Sequence, residues 1–96
     1  MKFVIHAEDK PDAMDLRLQN RAAHRAYLAS AAQEGVVSIV MAGPLVSDDG
    51  ETMRGSLFVV EAPDRASVEG FHRGDPFALV GIWQRVSISA FSMRHG

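Results

Sequence analysis

The chain contains no cysteine. Disulfides and thiolate metal sites are therefore both ruled out. Lysine is nearly as scarce, occurring only at Lys2 and Lys10. No Lys/Arg cluster is interleaved with aromatic residues, and the formal charge is −2. A nucleic-acid partner is not expected from that balance. Long apolar runs are missing too. Stretches such as Leu57 to Val60 are far too short to span a bilayer, so no membrane partner is expected. No early segment joins a charged start to the apolar run of a signal peptide. A cytoplasmic location is the expectation that fits these absences. What remains is ordinary: 47 % apolar and 23 % charged residues over 96 positions. Such a chain is expected to fold, as one domain spanning 1–96.

"KFVIHAE" is rich in strand formers. Phe3, Ile5 and Ala7 fall on one face, Val4 and His6 on the other. Pro11 and two aspartates then mark a loop. From Met14 to Glu34 there is no Gly or Pro and much alanine, which predicts one long helix. Gly35 is placed to end it. At 100° per residue, Leu16, Ala23, Tyr27 and Ala31 share a stripe, read as the core face. Arg17, Arg21, His24 and Leu28 form the stripe beside it. "VVSIVMAG" and "GSLFVVEA" read as strands, joined as a hairpin through Asp49-Gly50. "APDRASVEGFHRG" reads as a shorter helix capped by Asp64, with Val68 and Phe71 facing the core and Gly74 at its end. "GIWQRVSISAFSM" is a last strand.

The order β-α-β-β-α-β is the α+β, ferredoxin-like split βαβ pattern, an antiparallel four-stranded sheet with two helices on one face. No element is left to cover the other face. A homodimer, sheet against sheet, is the expected solution.

Three segments carry a family resemblance. "RLQNRAAHRAYLASAAQEG" looks like the first-helix signature of YciI-like (YCII-related) proteins. "MAGPLVSDDGETMRGSLFVVEA" resembles their central hairpin, and "RGDPFALVGIWQRVSISAF" their Asp-Pro-Phe segment and final strand. The resemblance implies a dimeric α/β barrel of ferredoxin-like protomers. It also implies a small pocket with a His and an Asp proposed as an acid/base pair, here His24 and Asp75. It places the chain near muconolactone isomerase-like and small monooxygenase-like proteins. One departure is Arg25, directly after the motif histidine, where an apolar residue is expected; helical phase puts it on the solvent side.

Each candidate has a plainer reading. Asp75 before Pro76 makes a good helix N-cap with proline in the first helical position. Both roles are compatible, since one carboxylate oxygen can cap while the other bonds a histidine. His24 is otherwise a histidine at the border of the core. A His-Asp pair without a nearby Ser or Cys nucleophile suits proton abstraction, isomerisation or elimination. Arg21 is a candidate for holding an anionic substrate. Arg17 is read as part of a solvated face, paired with Asp12 or Asp15. Phe77 is a candidate pocket wall, while Trp83 reads as ordinary packing. His6 is placed on the open sheet face, His72 on the exposed side of the second helix, and His95 in the tail. No two histidines have helical ligand spacing, so no metal site is expected. No glycine pattern marks a nucleotide site and no nucleophile elbow surrounds Ser87, Ser89 or Ser92.

The expected function is a YciI-like, cofactor-free acid/base enzyme of isomerase or lyase type. It would act on a small organic molecule, aromatic-derived or a lactone, with His24 and Asp75 catalytic and Arg21 and Phe77 binding substrate. The alternatives are a non-catalytic metabolite-binding dimer and, by fold analogy alone, a monooxygenase.

Overall fold

The computed structural model describes the backbone of residues 1–96 and every side chain except those of 32–34. The elements are β1 (Lys2–Asp9), α1 (Met14–Glu34), β2 (Ser38–Val46), β3 (Met53–Glu61), α2 (Arg65–Gly74), α3 (Pro76–Leu79) and β4 (Trp83–Phe91). The strands form one antiparallel sheet in the order β2-β3-β1-β4. That is the ferredoxin-like arrangement expected from the sequence. The one addition is α3, a single turn.

Strand alternation decides which residues meet the helices. Phe3 stands opposite Val60 and Ala90, and Ile5 opposite Phe58 and Ile88. Phe3, Ile5, Phe58 and Val60, with Val68 and Phe71 of α2, belong to the buried core, and Ile88 packs against it. Each such side chain contributes about 1.5–3 kcal/mol when removed from water. The opposite rows include Val4, His6, Leu57, Met41, Ser87 and Phe91, and among the described residues no helix packs on them. Met41 is 56 % and Phe91 39 % exposed there.

Local chemistry sets the element ends. The Asp64 carboxylate accepts from the Ser67 amide at 2.8 Å and starts α2. Gly50 takes a φ of 78° in the β2–β3 turn, where the left-handed region favours glycine. Gly74 lets α1 and α2 approach, for a Cβ there would lie 2.6 Å from the Tyr27 hydroxyl. That hydroxyl donates to the Phe71 carbonyl at 2.7 Å. Gly35 ends α1 in extended rather than left-handed backbone.

Two sequence expectations need correction here. Of the stripe expected to face the core, Tyr27 and Ala31 do so, but Leu16 and Ala23 do not. Leu16 is 38 % exposed and Ala23 is exposed, while Tyr27, Leu28 and Ala31 pack on the core and Arg17 is buried. The helix is turned by polar partners on the sheet and loops, so apolar phase alone mispredicts it. His72, expected on the exposed side of α2, is instead half-buried and stacked on Trp83 at 5.2 Å.

Burial pushes the His72 ring below its ordinary value of 6.5; attraction to Asp75 opposes this and repulsion from Arg73 adds to it. The unfolded chain therefore takes up this proton first as pH falls. The contribution is present above pH 6.5 and is lost as pH drops from there through the lower folded value. His72→Phe keeps an aromatic ring against Trp83 and removes the titration. Urea unfolding midpoints compared between about pH 7 and about pH 5 are expected to fall less steeply in this variant. Equal slopes would remove His72 as a source of acid sensitivity.

Candidate functional site

Asp75 follows the end of α2 and begins α3, and it is 1 % exposed. Its Oδ1 accepts from the Phe77 amide at 2.9 Å, which is the capping bond. The same oxygen lies 2.8 Å from His24 Nδ1 on α1. Capping and histidine bonding thus share one oxygen, where the sequence suggested one oxygen for each. Oδ2 is buried without a partner among the described residues. The carboxylate's field, second to burial, also raises the Tyr27 phenol above its ordinary value.

A carboxylate oxygen accepts, so Nδ1 carries the proton in this bond. In the neutral ring, Nε2 then holds the free lone pair. The ring plane is fixed by Phe77, stacked at 3.9 Å and 4°, and by Phe58 edge-on at 6.1 Å. His24 is therefore an oriented ring rather than a loose surface imidazole.

Arg17 is the residue that sequence reasoning misplaced. It is 4 % exposed and pairs with buried Asp9 of β1, not with Asp12 or Asp15. Nε meets Asp9 Oδ2 at 2.5 Å and Nη2 meets Oδ1 at 3.0 Å. Nη2 also donates to the Gly55 carbonyl at 2.5 Å and the Ser56 hydroxyl at 2.7 Å. Nη1 has no hydrogen-bond partner among the described residues. The guanidinium carbon lies 5.1 Å from the Phe77 ring centre. A buried carboxylate needs such a partner, and Asp9 at the end of β1 was the available signal.

These groups border a cavity of about 260 Å³ between α1 and the β2–β3 hairpin. Arg17, Arg21, His24 and Arg25 form its basic side. Met53, Phe58 and Phe77 supply apolar surface, and Ala42, Gly43 and Pro44 the hairpin side. Arg25 is exposed, as its phase suggested, yet it also lines the cavity. Trp83 packs edge-on against Phe58 and Phe77 behind that wall. His6 lies on the open sheet face and is exposed, away from the cavity lining. Among the described residues, no three His, Asp or Glu side chains cluster as metal ligands. No described helix is long and apolar enough to cross a membrane.

The family model of the YCII-related domain matches residues 1–92. The chain belongs to the YCII-related family. Protein YciI of Escherichia coli O6:H1 and that of Shigella flexneri are each 30 % identical over 96 residues, covering 95 % of this chain and 96 % of theirs. Among solved structures, this YCII-related chain is similar to 5-chloro-2-hydroxyhydroquinone dehydrochlorinase of Burkholderia phenoliruptrix AC1100 in complex with 2,5-dihydroxybenzoquinone. The TM-score is 0.84 at 30 % identity, over 100 % of this chain and 96 % of that one. An antibiotic biosynthesis monooxygenase shares the fold at TM-score 0.56 and 19 % identity, over 96 % of each chain.

The Asp75 bond is expected to hold His24 in the Nδ1–H tautomer, visible in long-range ¹H–¹⁵N spectra. Asp75→Asn offers both a donor and an acceptor, so the Nε2–H tautomer should gain population. An unchanged tautomer in the folded variant would show that Asp75 does not set it.

Proposed function

We propose that the chain is an acid/base enzyme of lyase or isomerase type acting on a small hydroxylated ring compound. One observation carries the reading. His24 lines an apolar-walled cavity with Nδ1 tied to a buried carboxylate, which leaves Nε2 for substrate. The similar dehydrochlorinase, named for a chlorinated hydroxyhydroquinone, supports the same class of chemistry.

In the lyase form, Nε2 takes the proton of a ring hydroxyl. The oxygen's electron pair becomes a carbonyl, and the double bond shifts. In the keto tautomer of such a ring, where one hydroxyl proton has moved to the halide-bearing carbon and made it saturated, the halide then leaves with its bonding pair. The proton stays on His24 and the halide departs, so the net loss is HX. In the isomerase form, the proton returns at another ring carbon. Asp75 stabilises the imidazolium formed in either case. Phe77 supports the His24 ring from one face, and Arg21 borders the same cavity. The proton transfer calls on no cofactor.

His24→Gln should keep the fold and lower kcat on a chlorinated hydroxyhydroquinone by about 10²- to 10⁴-fold. Normal turnover in that variant would remove the assigned role. Ligand binding by wild type with no turnover of such substrates would leave a non-catalytic binding module.

The reading includes a homodimer formed through the open sheet face. That face carries Met41 beside Val59 and Leu57 opposite His6, on rows no helix covers. Met41 is 56 % exposed in the single chain, so Met41→Asp should leave the protomer folded. Light scattering after size exclusion is expected to give a dimer for wild type and a monomer for the variant. A wild-type monomer would overturn this part.

A further inference from the structure

We infer that the ligand of this cavity carries a carboxylate substituent held by Arg21 and Arg25. The inference rests on the cavity being the ligand site, as proposed above. Its warrant is the charge around the cavity. Three arginines line it and no acidic side chain does, in a chain of formal charge −2. Such local imbalance favours an anion. Arg17 is already neutralised by Asp9. Arg21 and Arg25 have no ion-pair partner among the described residues.

Spacing separates the two ends of the ligand. Arg17 and Arg25 are two helical turns apart, about 12 Å along α1. One small anionic group does not span that length. A ring oxygen at His24 Nε2 leaves Arg21 and Arg25 free for a second group. They lie one turn apart, a spacing that suits the two oxygens of one carboxylate. The cavity of about 260 Å³, with its apolar surface, fits a single substituted ring.

The test uses two probes that differ by one carboxylate, hydroquinone and 2,5-dihydroxybenzoate, titrated by NMR into the full chain. Wild type should bind the carboxylated probe about tenfold more tightly or better, as expected for a charge-assisted pair. Arg25→Met should erase most of that preference and leave hydroquinone binding unchanged. Arg25→Lys should restore part of it, since charge returns without the planar fork. Equal affinity for the two probes in wild type, including no measurable binding of either, would overturn the inference. So would an undiminished preference in Arg25→Met. The same titration in His24→Gln separates the two readings. A preference kept in an active His24→Gln protein would sink the acid/base role alone.

Discussion

Among the described residues, two carboxylates lie almost out of water, and both are bonded by the same helix. Asp9 is held by Arg17 and Asp75 by His24. A buried carboxylate without partners is strongly unfavourable, so neither bond is optional. The two contacts lie seven positions apart on α1, two turns of one face. They fix the roll of the helix against the sheet more firmly than its alanines can. The consequence is a gap. Held this way, α1 leaves part of the β2–β3 hairpin uncovered, and the cavity lies between them.

The sequence was most legible where local chemistry decides. Helix propensity placed α1 from Met14 to Glu34, and the Asp64 cap and Gly50 turn are where side-chain and backbone preferences put them. Strand alternation sorted Phe3, Ile5 and Ala7 from Val4 and His6. Misreadings arose where a distant partner overrides the local rule. Arg17 looks like a solvated cation until β1 brings Asp9 beneath it. Leu16 looks like core until that ion pair turns the helix. His72 looks exposed until β4 brings Trp83 against its ring. In each case the deciding group is remote in sequence, and periodicity carries no information about it.

At Asp75 a helix cap and a histidine bond coincide. The Phe77 amide and the His24 ring both bond to Oδ1. Capping fixes the carboxylate to the start of α3, and α3 in turn presents the Phe77 ring that stacks on His24. The carboxylate thus orients the imidazole directly through Nδ1 and indirectly through Phe77. Proline at the first helical position strengthens the arrangement, because its φ suits the helix and its missing N–H is one the helix would leave unbonded. The capping bond of Asp75 thus holds the carboxylate where it also meets the His24 ring.

The shared fold does not determine the chemistry done on it. The monooxygenase neighbour has the same sheet and helices at TM-score 0.56, and that likeness extends to architecture alone. The dehydrochlorinase likeness reaches further, at TM-score 0.84 and 30 % identity. Even so, ligand selection depends on side chains that a backbone overlay does not weigh. Here those are on α1, where residues 17, 21, 24 and 25 all border the cavity. The helix that two buried carboxylates hold in place is thus also the one that sets the charge of the pocket. Fixing its roll for stability fixes which of its cations face the cavity, so the constraint that shapes the core also constrains what the cavity can bind.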